Sequence, residues 1–302
     1  NLANLFVNIG MLDKAESTIV QAIKIDPDCA RAYYNFSILK PHDTYEYIYR
    51  NIFSDCLLDR LNQKDKIYFY FSRANIFHMR GDFKKSAKYL QIANNLKLKN
   101  IGSDLKIRLE RSKKLLKDSR KYNLNNLDSN SKQAIFIVGL PRCGSTLLES
   151  ILSMNYDSID LGETKIFDKV FLKWSKRSNK EKLNLEELYY EKINKISDQS
   201  IISIDKMLYN YQYTSIIASQ IANSKIFHCL RNPLDNILSM YRAHFSVGNS
   251  YTSSLEDCAK LYLDHEDVMD EYKREYRSKI YDLNYDFLVK NPNKEIRALI
   301  SW

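Results

Sequence analysis

The stretch FIVGLPRCGSTLLES, residues 136–150, limits the fold more than any other part of the chain. The apolar run Ile135 to Val138 suits a buried strand. Gly139 and Gly144 follow at the G-x-x-x-x-G spacing of a phosphate-cradling turn, and Leu147, Leu148 and Ile151 open a helical pattern. Strand, turn and helix in that order begin an α/β unit with a mainly parallel sheet. A P-loop NTPase has Lys and then Ser or Thr after the second glycine, whereas here those positions hold Ser145 and Thr146. The turn expects an anion but lacks the side chain that reaches the outer phosphates of a triphosphate.

The rest of the second half continues the alternation. Apolar runs at Ser158–Leu161, Ile201–Ile204, Lys225–Leu230 and Lys279–Leu283 read as strands, and residues 145–154, 212–222, 233–245 and 255–276 as helices. Residues 134–302 are therefore expected to form a P-loop-like three-layer α/β domain. In open α/β sheets ligands bind beyond the carboxyl ends of the strands. Arg142, Glu163, Lys206, Arg231 and Tyr285 all follow such ends. Any one of them alone is as readily a surface residue; the shared topological position is what makes them converge on one crevice.

The first half is helical. GMLDKAESTIVQAIKIDPD places Gly10, Leu12, Ala15, Ile19, Ala22 and Pro27 at the spacing of the second helix of a tetratricopeptide repeat (TPR), and Tyr33 and Phe36 suit the next first helix. Pro41 interrupts that copy. Ala74, Phe77, Gly81, Phe83 and Ala87 give a further one. A generic helical bundle is the alternative. The expected organisation is an all-α TPR domain over 1–118, a polar Asn- and Ser-rich linker over 119–133, and the α/β domain over 134–302. Residues 173–199 read as a charged helical insertion: a solvated face or part of an acceptor lid.

Composition excludes some partners. With 44% hydrophobic and 27% charged residues the chain is of globular type, and no apolar run suits a transmembrane segment. The net charge of +9 comes from lysines spread along the chain, with no nucleic-acid-binding motif, so no nucleic-acid partner is expected. Five scattered cysteines without a C-x-x-C pair give neither a disulfide framework nor a zinc site, and suit a reducing, cytoplasmic setting. The chain opens at Asn1 without Met, so an upstream segment is expected.

Two anion sites can be read from the residues. Backbone amides of the loop and the helix start bind phosphate without metal, with Arg142, Ser145 and Thr146 as further donors. IISID ends in Asp205, but Lys206 follows directly, which supplies a fixed positive charge rather than a magnesium site. KIFHCLRNPLDNILSMYRAHF supplies the second anion site: Arg231 at a strand tip and Ser239 in the helix opened by Pro233. Two separated sites suit a ligand with phosphate groups at two ends.

These residues resemble a known family. VGLPRCGSTLLESIL is similar to the 5′-phosphosulfate loop of sulfotransferases, and IFHCLRNPLDNILSMYRAHF to their 3′-phosphate motif. With LGETKIF, DKM, NYDFLVKNP and helical repeats upstream, nearly the whole chain resembles the TPR-linked bacterial sulfotransferases and the tyrosylprotein sulfotransferases. The resemblance implies the sulfotransferase fold and 3′-phosphoadenylyl sulfate (PAPS) as co-substrate, without metal. By motif match, Arg142, Cys143, Gly144, Ser145 and Thr146 would cradle its 5′ end, Arg231 and Ser239 its 3′-phosphate, and Tyr285 would contact it. Glu163 falls at the general base and Lys206 at the lysine that stabilises the transition state. Cys143 stands where the family has Ser, and Leu208 where it often has Pro. The family continues past the position of Trp302 into a segment that closes over the donor, so truncation at both ends is expected. The acceptor implied is a hydroxyl, a protein tyrosine foremost, with peptide, carbohydrate, glycolipid or small phenol also open; the repeats would hold a protein partner. The competing readings are a TPR interaction scaffold with an idle nucleotide-binding domain, and a P-loop kinase or NTPase.

Overall fold

The structure, a computed structural model, describes residues 2–39, 45–121, 132–176, 184–197, 199, 201–245 and 248–302. The core of the expected linker and the middle of the 173–199 insertion lie outside these residues. The chain divides into two units: residues 1–104 with 241–258, and residues 105–240 with 259–302.

The first unit is all-helical. Helices α1 (Leu2–Asn8), α2 (Leu12–Ile25), α3 (Ala30–Ile38), α4 (Glu46–Ile52), α5 (Asp55–Arg60), α6 (Gln63–Met79) and α7 (Phe83–Ile101) follow one another. Two corners in it are built alike. At Gly10 the amide donates to the Val7 carbonyl and the next amide to Phe6; at Gly81 the same two bonds go to His78 and Phe77. Both glycines have φ near +76°, a left-handed turn that costs glycine no steric strain. Ile19, Ile23, Tyr33, Phe36, Ile48, Ile52 and Phe69 form a shared core. The segment 241–258 closes onto this unit. Asn94 Nδ2 donates to the Tyr241 carbonyl at 3.0 Å, Lys97 Nζ to that of Phe245 at 2.7 Å, and the His244 ring packs among Tyr34, Tyr68 and Phe71.

The second unit starts with α8 (Leu105–Ser119) and contains the sheet: β1 (Gln133–Gly139), β2 (Ser158–Gly162), β3 (Ile202–Asp205), β4 (Ser224–Leu230) and β5 (Ile280–Asn284). All pairs are parallel and the order is β2-β3-β1-β4-β5. The fold is the three-layer α/β arrangement, and the strands agree with the expected runs to within two residues at either end.

Alternation along β1 sorts the layers. Ile135 and Ile137 join a cluster with Leu148 of α9 (Ser145–Leu152), Leu288 and Leu299. Phe136 faces the other way, onto Phe167 of α10 (Ile166–Trp174) and Tyr189 of α11 (Leu185–Asn194). A 3₁₀ turn and α12 (Thr214–Gln220) precede β4; α13 (Pro233–Arg242) and α14 (Leu255–Tyr276) follow it. After β5 come α15 (Tyr285–Lys290) and α16 (Pro292–Ser301), which supply Leu288 and Leu299. On the face of Phe136, His228 of β4 meets His265 of α14, Nε2 to Nε2 at 3.0 Å. Because β2 and β3 lie on one side of β1 and β4 and β5 on the other, the carboxyl end of β1 is the topological switch point, the position at which open α/β sheets bind ligands.

Candidate active site

The loop after β1 has the backbone that its glycines permit. Gly139 has φ +150°, and a Cβ there would come to 2.9 Å from the Cys229 carbonyl oxygen of the paired strand. Gly144, the N-cap of α9, has φ +95°. Between them Arg142, at φ +71°, is the only non-glycine with positive φ among the described residues. That left-handed position costs a non-glycine residue free energy and needs the surroundings to hold it.

The surroundings come from both anion motifs. Arg142 Nε donates to Ser239 Oγ of α13 at 3.1 Å, and Arg231 Nη1 donates to the Arg142 carbonyl at 3.1 Å. The Arg231 guanidinium lies 5.1 Å from the centre of the Tyr285 ring, which in turn packs on Gly144. Five of the expected residues, Arg142, Gly144, Arg231, Ser239 and Tyr285, thus form one chain of contacts. Asn236, which the motif reading missed, locks the loop from beneath: its Nδ2 donates to the Pro141 carbonyl at 3.0 Å from a site 1% exposed. Its only signal in the sequence was a polar residue in the buried stripe of α13.

Cys143 is 2% exposed, so its sulfur lines the underside of the loop. The Cys229 thiol and the Ser145 amide and hydroxyl, all beside it, hold its thiol below the ordinary range; Cys229 is pushed up by the same contact and by burial. Ser145 is therefore turned in toward Cys143, while Thr146 is exposed.

Glu163 and Lys206 meet because of strand register. Gly162 of β2 pairs with Asp205 of β3, so the residues that follow emerge side by side. Lys206 Nζ is 3.5 Å from Glu163 Oε1 and 2.6 Å from Glu149 Oε2. Glu149 is a third residue of this group, and it was not singled out in the sequence. Burial disfavours the Lys206 charge, but Glu149 and Glu163 outweigh it and hold the ammonium above its ordinary value.

Neither Arg142 nor Arg231 is ion-paired to a carboxylate among the described residues. Arg231 Nε is buried without a partner. Two guanidiniums without counter-ions beside a helix N-terminus make an anion site. One group among the described residues has metal-ligand spacing, His228, His265 and Glu266. Asp282 Oδ1 lies 2.9 Å from His228 Nδ1, and burial lowers the His228 pKa to about 4.

No described helix is long and apolar enough to cross a membrane. The chain is similar to a protein of Aquifex aeolicus (strain VF5) bearing the name "Uncharacterized protein", 23% identical over 328 aligned residues; the match covers 100% of this chain and 42% of that protein. The chain thus spans less than half the length of this curated relative. Among solved structures it resembles sulfotransferase STF1 from Mycobacterium tuberculosis H37Rv, at 11% identity and TM-score 0.38, over 95% of this chain and 87% of that one; a likeness so slight carries no argument. Residues 134–302, more than half of the chain, match the sequence model of the sulfotransferase family. The chain, in which this stretch holds both anion motifs and the Glu163–Lys206 pair, belongs to that family.

Proposed function

We propose that the chain transfers a sulfuryl group from PAPS to an acceptor hydroxyl, with a protein tyrosine as the first acceptor class. The observation that carries this reading is the contact of the two anion motifs: Arg142 on Ser239, and Arg231 on the Arg142 carbonyl. Sites for two phosphate groups then lie within one α/β unit, as a 3′,5′-bisphosphate requires.

PAPS supplies the sulfuryl group, bound through the 5′-phosphate that becomes the leaving group. Arg142, Cys143, Gly144, Ser145 and Thr146 form the loop that holds the 5′ end, chiefly through backbone amides. Arg231 and Ser239 take the 3′-phosphate, and Tyr285 covers the loop. Glu163, whose side chain is 67% exposed, removes the acceptor's proton as its oxygen attacks sulfur. Lys206 neutralises charge on the bridging oxygen as the bisphosphate leaves. No step calls for a metal.

The two like-built corners at Gly10 and Gly81 support a tetratricopeptide reading of the helical unit, which would hold a protein partner or acceptor. All five cysteines are free, which suits a reducing compartment such as the cytoplasm. Turnover of sulfur-labelled PAPS with tyrosine peptides, phenols and oligosaccharides tests the reading. Glu163→Gln and Lys206→Ala are expected each to lower kcat at least ~100-fold. Near-normal turnover in either variant removes that residue from its role, and absence of transfer to every acceptor removes the activity.

A further inference from the structure

Glu149 belongs to neither anion motif. It sits on α9, one turn beyond Ser145, and its side chain is 9% exposed, beside Lys206 at 8%. A lysine ammonium ends a flexible stem and has no fixed geometry of its own. A charge that is to stabilise a transition state must already be in place. Two carboxylates flank this one. The pair with Glu163 is long, at 3.5 Å, and open to water, so it fixes little. The bond to Glu149, at 2.6 Å and enclosed, is short and charge-assisted.

The two carboxylates also differ in access. Glu149 Oε1 is buried and accepts no hydrogen bond. Burial lifts its carboxyl above the ordinary value, Lys206 opposes this, and Asp160 beside it adds to the rise. Lys206 is itself held above its ordinary value by Glu149 and Glu163 together. An incoming hydroxyl can reach Glu163, while Glu149 is enclosed.

The geometry points to Glu149 as a positioning residue: it tethers the Lys206 ammonium to the helix that begins at the anion loop, and so leaves Glu163 free to serve the acceptor. This rests on the role proposed above for Lys206. One N–H of the ammonium is committed to Glu149, and the other two remain for Glu163 and for the oxygen that leaves. Because α9 carries both the loop and the tether, the charge stays registered to the bound donor.

The test combines kinetics, binding and chemical labelling on wild type, Glu149→Gln, Glu149→Asp and Glu149→Met. Glu149→Gln is expected to lower kcat by at least ~10-fold, Glu149→Met further, and Glu149→Asp least. The affinity for 3′,5′-adenosine bisphosphate, read by calorimetry, should stay within about threefold, because the tether does not hold the phosphates. Acylation of Lys206 by a succinimidyl ester, followed by mass spectrometry at pH 8, should speed up in Glu149→Gln, since the ammonium loses its anchor and its charged partner. Glu149→Gln should add little to the kcat loss of Lys206→Ala. Unchanged kcat and labelling in Glu149→Gln, or a kcat loss that adds in full on Lys206→Ala, would overturn the inference. If Lys206→Ala itself turns over normally, the role of Lys206 fails, and the labelling rate alone decides whether Glu149 anchors it. If Glu149→Met does not fold, the Gln and Asp variants carry the same comparison.

Discussion

The Tyr285 ring packs so closely on Gly144 that a Cβ on the glycine would lie 2.1 Å from ring Cδ2. This contact joins the start of α15 to the start of α9, and the Arg231 guanidinium lies beside the same ring. Gly144 is thus required twice, by its φ of +95° and by the ring above it. Gly144→Ala is expected to destabilise the α/β unit by ~1–3 kcal/mol and to weaken bisphosphate binding at least ~10-fold. Adding Tyr285→Ala should recover part of the stability, because it removes the clash but not the strained φ. Thermal unfolding of the two variants checks this.

Asn236 holds the loop through the Pro141 carbonyl from a buried position. Asn236→Ala leaves that carbonyl short of a donor, at a cost of ~1–3 kcal/mol. Urea denaturation should show that loss, and calorimetry a weaker bisphosphate affinity.

Asp205 gives a pH-dependent prediction. It is fully buried, and burial raises its pKa to about 7, against the pull of the Met207 amide. The folded protein therefore holds this proton more tightly than the unfolded chain. The stability it brings is complete below the unfolded value near 3.8 and is lost as pH rises through about 7. Asn can accept the same bonds from the Met207 amide and Asn210 Nδ2 at no charge cost. Asp205→Asn should match wild type near pH 4 and gain on it by up to ~1.4 kcal/mol per unit toward pH 7. Melting temperatures across that range give the answer; a gain that grows toward acid would contradict it.

In the helical unit, Arg73 of α6 is 4% exposed. It donates to the carbonyls of Ile52 and Ser54 and to Asp55, and its guanidinium lies within 6 Å of the Phe53, Tyr70 and Tyr89 rings. Arg73→Met would take from the Ile52 carbonyl its buried donor and from Asp55 its cation, and is expected to cost ~2–4 kcal/mol, with Arg73→Lys recovering little because an ammonium lacks the planar fork. Chemical denaturation followed by circular dichroism measures both.

The sequence made the strand ends legible because a parallel sheet repeats one local grammar: an apolar run, then a turn that carries chemistry. The glycines at 139 and 144 could be read for the same reason, since a turn with their φ values admits little else. Glu149 and Asn236 could not be read. On their helices they are ordinary polar residues, and their roles depend on which strand end or loop each helix crosses. The pairing of Glu163 with Lys206 was legible as a position, but their side-by-side exit follows from the register of β2 on β3. The return of residues 241–258 to the helical unit was hidden for a similar reason. Its contacts with Asn94 and Lys97 span about half the chain, and no local periodicity records them.

The central claim is that Arg142 and Arg231 form one site for a 3′,5′-bisphosphate. Calorimetric titration with 3′,5′-adenosine bisphosphate, beside 5′-AMP and Mg·ATP, on wild type and Arg231→Ala tests it most directly. The bisphosphate should bind at least ~10-fold tighter than 5′-AMP, and that advantage should vanish in Arg231→Ala. Equal binding of 5′-AMP, a preference for Mg·ATP, or an Arg231→Ala variant that binds like wild type would contradict the account.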